Sequence, residues 1–155
     1  MHIRLLAVGR RPPPWAEDAV AEYAKRLAPA FRFAAPLLPL ASGHGTDSAR
    51  ALNEEGERLL AALARDETVI ALNERGAAWT TAELAARLAD WQMASRDVAL
   101  LVGGPDGLAS ACLERADAHW SLSPLTLPHA LVRVIVVEQL YRAASINAGH
   151  PYHRA

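Results

Sequence analysis

The chain has 155 residues, of which 52% are hydrophobic and 21% are charged, a composition typical of globular proteins and unlike that of disordered ones. A chain of this length can bury about 70% of the surface that its unfolded form exposes, so we predict a single domain over residues 1–155. No apolar run approaches the ~20 residues that a membrane span needs, and no signal peptide opens the sequence, so we expect a cytoplasmic location.

Charge is distributed unevenly along the chain. The net charge of −1 argues against a general nucleic-acid binder. Residues 1–33 carry six basic and three acidic side chains, residues 34–128 carry seven and thirteen, and residues 129–155 carry three and one. If the two basic ends meet in space, they form a patch for phosphate on an acidic body. The alternative is a chance scatter of solvated arginines.

The first third of the chain predicts a strand, a helix and a second strand. Residues 3–8, which end at Gly9, have the pattern of a strand stopped by a turn. Three prolines then introduce a helix. Four apolar residues recur every four positions in it and are predicted to form its buried face: Trp15, Ala19, Tyr23 and Leu27. Residues 31–38 predict a second strand, and residues 41–48 predict a mobile loop.

The middle of the chain alternates helices and strands. Leucines at helical spacing predict a helix over residues 52–63, followed by a buried strand over residues 68–72. Thr80 with Glu83 is a capping-box signature for the next helix. Residues 98–102 form a continuous apolar run of strand length. Buried strands separated by helices indicate an α/β fold with a mostly parallel sheet flanked by helices.

Two further helices are predicted towards the end of the chain. Residues 108–118 predict a short helix, in which Cys112 is interpreted as a packing residue, with a reactive thiol as the alternative. Residues 129–147 include valines that favour a strand, but the length of the segment and the spacing of Glu138 and Arg142 favour a helix. Because apolar residues cover most of its circumference, we expect one side to face the core and the other a second subunit.

A glycine turn over residues 103–107 lies where a strand ends, which is the usual ligand crevice of an α/β sheet. The turn lacks the Gly-Lys-Ser/Thr ending of a phosphate-binding loop and the dinucleotide spacing. Together with the apolar segment 121–129, it suits an uncharged aromatic ring such as adenine. Gly103 would let the backbone approach a ligand, so Gly103→Val should remove binding without disturbing the fold. A purely structural turn is the alternative.

The tail, residues 147–154, collects two histidines, a tyrosine and an arginine into a polar arm. Its histidines have no carboxylate between them and no helical spacing, so we predict no metal site. Ser121 and Ser123, near His129, lack the strand–turn–helix setting of a hydrolase nucleophile. We therefore interpret this part of the chain as a cofactor pocket with a polar arm beside it.

Several motifs act together. The most specific are Glu138-Gln139-Leu140-Tyr141-Arg142-Ala143 and the terminal His150-Pro151-Tyr152-His153-Arg154. The others lie at residues 6–9, 22–23, 55–57, 96–98, 101–105, 121–129 and 131–134. On these motifs the chain resembles the SPOUT methyltransferases, and specifically the small bacterial family that methylates N3 of a pseudouridine in large-subunit ribosomal RNA.

This resemblance implies a SPOUT-type α/β fold with a C-terminal trefoil knot, a homodimer, and S-adenosylmethionine as methyl donor. It implies cofactor contacts at these positions: Leu72, Gly103, Leu122, Ser123, Pro124, Leu125, Thr126 and Leu127. For the chemistry of this reaction we expect His153, with Tyr152 and His129, to be the polar groups around the target base, and Arg142 and Arg154 to act beside them. A helix cap or a hydrogen-bonded scaffold residue is the alternative for His129. The two arginines would bind phosphate or stabilise negative charge on the base. The group that takes the N3 proton is left open.

The sequence departs from the family pattern after Leu72. The family tends to have an aspartate and then Gly-Lys there, whereas this chain has Asn73 and then Gly76-Ala77. These changes favour an alternative, a ribosome-associated RNA-binding protein that has lost its chemistry, but the intact tail favours an enzyme. A knotted methyltransferase that acts on transfer RNA is the nearer alternative. The expected partner is large-subunit ribosomal RNA, within the assembled ribosome.

Overall fold

A computed structural model describes residues 1–154, in which strands and helices alternate. The elements are β1 (His2–Val8), α1 (Pro14–Leu27), β2 (Arg32–Ala34), β3 (Leu37–Leu38), α2 (Ser48–Ala61), β4 (Thr68–Ala77), α3 (Thr81–Met93), β5 (Val98–Val102), α4 (Ser110–Arg115), β6 (Ala118–Trp120), α5 (His129–Asn147) and a 3₁₀ helix (Pro151–Arg154). The predicted domain also includes Ala155, which lies outside the described residues.

The strands form one sheet in the order β2-β1-β5-β4-β6, and β3 pairs with the far end of β1. Each of the strand pairings within residues 1–154 is parallel. The predicted α/β fold with a mostly parallel sheet is therefore confirmed. The trefoil knot implied by the resemblance stays a prediction.

The apolar run of β5 is continuous because both faces of the sheet are covered by helices. Val98 and Leu100 pack in a cluster that includes residues of α1, α3 and α5. Ala99 and Leu101, which point to the opposite face, pack with residues of α2 and α4. All four side chains are fully buried. This two-sided core holds the carboxyl ends of β4 and β5 in a fixed position at one edge of the sheet.

The predicted buried face of α1 is wrong at its first position. Trp15 is 53% exposed, and Ala16 is buried in its place. The buried stripe runs through Ala16, Val20, Tyr23 and Leu27. A repeat of four residues drifts around a helix of 3.6 residues per turn, so a face that starts at Trp15 cannot stay against the core.

Several other boundaries differ from the predictions. The helix predicted over residues 52–63 is Ser48–Ala61, and the strand predicted over residues 68–72 extends to Ala77. The strand predicted over residues 31–38 is split into β2 and β3, because Pro36 lies between them and has no N–H to donate to a ladder. The helix predicted over residues 108–118 ends at Arg115, and Ala118 lies in β6, which pairs with β4. A strand of three residues is too short to show a periodicity in the sequence.

The capping box of α3 and the bounds of α5 follow the sequence predictions. The capping box is complete, with Thr80 accepting from the Glu83 backbone N–H and Glu83 accepting from the Thr80 N–H. α5 packs between α1 and α3. Leu131 on this helix remains 39% exposed. Within residues 1–154, no helix combines the length and the apolar character that crossing a bilayer requires.

Candidate active site

A cavity of about 760 Å³ opens at the carboxyl ends of β4 and β5, where an α/β sheet commonly binds ligands. Its volume lies within the range of about 300–1,000 Å³ that is usual for small-molecule sites. All of the predicted cofactor contacts except Pro124 line it: Leu72, Gly103, Leu122, Ser123, Leu125, Thr126 and Leu127. Residues 121–128 form neither helix nor strand. Within them the Ser121 N–H donates to the Ala77 carbonyl, and the Leu125 N–H donates to Ser123 Oγ.

The loop that departs from the family pattern also lines this cavity. The pairing of β4 with β6 shifts register between Leu72 and Ala77, both of which pair with Trp120. The intervening residues bulge out of the ladder, and Asn73, Glu74 and Arg75 reach the cavity wall. Because the bulge arises from pairing with a strand about 50 residues away, no local pattern could have indicated it.

The glycine turn is closed on itself rather than open to a ligand at its first residue. A Cβ added at Gly103 would lie 2.2 Å from the carbonyl carbon and oxygen of Gly107. Gly107 has a φ of +83°, and Gly104 accepts a hydrogen bond from its N–H at 3.0 Å. The prediction that Gly103→Val would leave the fold intact is therefore wrong, because the turn itself needs glycine there.

Gly103→Ala should destabilise the protein by at least about 2 kcal/mol, because even one methyl group overlaps the backbone of the same turn. Urea unfolding of the variant and the parent protein measures this effect. Gly45→Ala is the matched control, since a Cβ at Gly45 meets no atom within 4 Å. Equal losses of stability in the two variants would contradict this explanation.

A buried carboxylate packs against the glycine turn. Glu55 on α2 is 2% exposed, and its Oε1 accepts from the Ala41 backbone N–H at 3.0 Å. The His44 ring joins Glu55 through Nε2 to Asp106 through Nδ1, the latter at 2.5 Å. A Cβ at Gly104 would approach Glu55 Oε2 to 2.7 Å. The loop over residues 41–47, α2 and the turn are thereby joined, a role for His44 that the sequence did not indicate.

The contacts of His44 with Glu55 and Asp106 should make the free energy of unfolding depend on pH. Hydrogen bonds to Asp106 and then to Glu55 raise the pKa of His44 above its ordinary value. The contribution of His44 to the free energy of unfolding is therefore complete below about pH 6.5, the pKa of a histidine in the unfolded chain. It is lost as the pH rises through the pKa of His44 in the folded protein. His44→Gln should lower the denaturation midpoint at about pH 6 and have a much smaller effect at about pH 9. A loss that is equal at both pH values would contradict this linkage.

His129 lies on the wall of the cavity at the start of α5. Desolvation by the surrounding protein lowers the pKa of its imidazole, although the residue as a whole is exposed. The ring is therefore neutral at neutral pH and has a lone pair that can accept a proton.

The tail forms a separate cluster on α5 and α1. The Tyr152 hydroxyl contacts both Tyr23 Oη and Glu138 Oε1 at 3.2 Å, and its ring packs edge-on against Tyr141 at 4.5 Å between centroids. Arg142 donates from Nε and Nη2 to Glu138 Oε1 at 3.0 and 2.7 Å. Burial, followed by the hydrogen bond with Tyr23, raises the pKa of Tyr152, so this phenol stays protonated.

The basic ends of the chain meet at this cluster, as one of the two sequence interpretations predicted. Arg26 of α1 lies over the Tyr141 ring at 5.9 Å, and Arg142 lies over Tyr152 at 5.0 Å. Both guanidinium groups are paired with carboxylates, Arg26 with Glu22 and Arg142 with Glu138. The patch is therefore less positive than the number of its arginines suggests.

The predicted polar groups do not come together within one subunit. Only His129 lines the cavity; Arg142, Tyr152, His153 and Arg154 do not. Thirteen residues of α5 separate His129 from Arg142, which corresponds to about 20 Å along the helix axis. His153 is half-buried and Arg154 is exposed. The Nδ1 of His153 is buried without a hydrogen-bond partner among residues 1–154.

The alternative readings of Cys112 and of the serines lose support. Cys112 is fully buried, and burial raises the pKa of its thiol, which identifies a packing residue. The Ser121 hydroxyl donates to the Ser123 carbonyl at 3.3 Å, and the Ser123 hydroxyl accepts from the Leu125 N–H at 2.9 Å. Both hydroxyls therefore serve the local turn. Residues 1–154 contain no group of three or more His, Cys, Asp or Glu side chains arranged to hold a metal ion.

Comparison with known proteins decides the family. A family model described as "Predicted SPOUT methyltransferase" matches residues 1–153. The chain belongs to the SPOUT methyltransferases. This SPOUT methyltransferase is 56% identical over 156 residues to the "Ribosomal RNA large subunit methyltransferase H" of Alkalilimnicola ehrlichii, with 100% of each chain covered. It is 53% identical to the protein of the same name from Thioalkalivibrio sulfidiphilus, with 99% of each chain covered.

A solved structure supports the fold. A methylase family protein from Neisseria gonorrhoeae superposes with a TM-score of 0.54 at 16% identity, covering 90% of this chain and 81% of that one. The methyl donor of this SPOUT methyltransferase is S-adenosylmethionine. The cavity fits that molecule, because it combines apolar side chains with a loop outside regular secondary structure and a few polar side chains.

Proposed function

We propose that this protein transfers the methyl group of S-adenosylmethionine to N3 of a pseudouridine in large-subunit ribosomal RNA. The observation that carries the proposal is the full-length identity of 56% to a protein named for methylation of that RNA. The cavity at the carboxyl ends of β4 and β5 supports it, since it has the volume and lining that a nucleoside cofactor requires.

The donor site consists of the eight predicted contacts. Leu72 lies in β4 where the pairing with β6 shifts register, and Gly103 follows the last residue of β5. Residues 122–127 form the irregular loop beside them. Seven of these residues, all but Pro124, line the cavity. Apolar side chains would cover the faces of the adenine ring, and backbone N–H and C=O groups would recognise its polar edge. Because backbone groups are neutral, they can recognise adenine without the aspartate and lysine of the family pattern, whose positions hold Asn73 and Ala77 in this chain.

The residues around the base expose its N3 as the nucleophile and orient it towards the methyl group. The bound donor supplies an electrophilic methyl, which bonds to the N3 electron pair as the carbon–sulfur bond breaks and its pair remains on sulfur. His129 is suited to accept the N3 proton, because its imidazole is neutral and lies on the cavity wall. Tyr152 stays protonated and can only donate or orient.

The working enzyme is, in this proposal, a homodimer. His129 and Arg142 lie about 20 Å apart along α5. The tail, with Tyr152, His153 and Arg154, packs beside Arg142 through the contacts of Tyr152 with Glu138 and Arg142, so one subunit cannot direct all of these residues at one base. A twofold partner packed on α5 would bring its own tail to this cavity. The exposed Leu131 and the half-buried Val134 and Ile135 on α5 supply an apolar surface for that contact.

Methyl transfer to different RNA particles tests the proposal directly. Ribosomes, free large subunits and transfer RNA are incubated with the protein and S-adenosylmethionine labelled in its methyl group. Label should appear in the large-subunit RNA and, after digestion, in N3-methylated pseudouridine. Label in transfer RNA alone would show that the substrate is transfer RNA and not ribosomal RNA. Donor binding with no label in any RNA would favour the non-catalytic alternative.

A further inference from the structure

A second cavity of about 420 Å³ lies between the turn after β1 and the start of α5. It adjoins the first cavity, at β4 and β5, which is the proposed S-adenosylmethionine site and hereafter the donor cavity. Pro105 and His129 line both cavities. Its walls are mainly apolar, and Val8, Leu37 and Leu40 contribute aliphatic side chains. Such a space suits a flat ring with apolar faces better than a chain of charged groups.

Arg133 lines this second cavity and is 8% exposed. Its Nη2 donates to the Ala35 carbonyl at 2.7 Å, which anchors the guanidinium. Its Nε and Nη1 are buried and have no hydrogen-bond partner among residues 1–154. Burial lowers the pKa of Arg133, but a guanidinium remains charged at neutral pH.

An anchored cation with two unused donors is costly in a folded protein. A hydrogen-bond acceptor that enters the cavity would relieve this cost. The two unused donors lie in the plane of the guanidinium and point in different directions, so each can meet a separate acceptor in that plane. A base that leaves its stack carries carbonyl oxygens on its edge, and its faces can lie against apolar walls.

We propose that the second cavity receives the target base and that the Arg133 guanidinium donates to a carbonyl oxygen beside N3. This inference rests on the proposed function, whose substrate site it locates. As N3 loses its proton to His129, negative charge spreads onto the flanking carbonyl oxygens, where the guanidinium stabilises it. The N3 pair then forms the bond to methyl, and the sulfur keeps the pair of the broken carbon–sulfur bond.

Arg133→Met separates this role from a structural one. The variant removes the charge and keeps an unbranched apolar side chain, so the melting temperature should not fall. The kcat for ribosome methylation should fall by about 100-fold, while the KM and the affinity for S-adenosylmethionine stay nearly unchanged. The rate of the variant should also rise more steeply with pH above neutrality, because hydroxide must replace the lost assistance to deprotonation.

Salt dependence distinguishes the base from a phosphate group. A phosphate contact would reduce the salt dependence of RNA binding when Arg133 is removed, whereas a carbonyl contact would leave it unchanged. Full kcat in Arg133→Met, or a reduced salt slope, would overturn the inference. Absence of methylation by the parent protein would instead defeat the proposed function itself.

A second variant tests the cavity even if Arg133→Met fails to fold. Gly9 lines the cavity, and a Cβ there meets no atom within 4 Å, so Gly9→Leu should fold and occupy the space. We expect it to lose at least about 100-fold in methylation while it still binds S-adenosylmethionine. Gly45→Leu, which also projects into open space but does not line this cavity, is the matched control. Equal activity of the two leucine variants would show that the base binds elsewhere.

Discussion

Removal of residues 150–155 should abolish nearly all methyl transfer to ribosomal RNA and leave the affinity for S-adenosylmethionine unchanged. The described residues of this segment do not line the donor cavity and do not belong to a strand of the sheet. Its loss deletes the contacts of Tyr152 with Tyr23, Glu138 and Tyr141, which are all half-buried residues of α1 and α5. His153→Ala should reproduce much of the effect, by at least ~100-fold if the side chain exchanges a proton.

Isotope transfer and calorimetry on the same preparation check this expectation. Arg154→Ala is the companion variant, and it should weaken RNA binding and reduce its salt dependence as loss of a phosphate contact would. A truncated protein that methylates ribosomes at the full rate would show that the tail is only a terminus, even though the family assignment would stand.

The second large effect is expected at Thr126, which is exposed and lines the donor cavity. Thr126→Trp places an indole in the space proposed for the cofactor without replacing a core residue. Binding of S-adenosylmethionine should weaken by about 100-fold, equivalent to about 2.8 kcal/mol. Calorimetry measures the change. Met93→Trp is the matched control, because Met93 is 85% exposed and lies outside this cavity. Unchanged affinity in Thr126→Trp would move the donor site elsewhere.

These two variants together test the dimer. The truncated chain retains a donor cavity, and the Thr126→Trp chain retains a tail. If each site combines the cavity of one subunit with the tail of its partner, equal mixing and subunit exchange should restore about one quarter of the parent activity. Light scattering on the mixture verifies the dimer. A mixture that stays inactive although exchange is complete would indicate that cavity and tail act within one chain.

The elements that the sequence predicts best are those whose signals are local. Residues 98–102 are apolar without interruption, and the strand has these bounds because both of its faces are buried. Thr80 and Glu83 are three residues apart, which is the spacing that a capping box needs. Residues 122–127 could be proposed as cofactor contacts because their motif is contiguous in the chain. Residues 31–38 were misjudged at Pro36, where one missing N–H divides the strand.

The sequence by itself determined the fold class, the family and the loop that lines the donor cavity, since contiguous motifs and periodicity carry that information. Only the tertiary structure decided which distant residues meet. Arg133 lies against Ala35, His44 joins Glu55 to Asp106, and Gly103 closes on Gly107. The physical reason is that these contacts depend on the order of the strands and the packing of helices on both faces, and neither leaves a pattern between neighbouring residues.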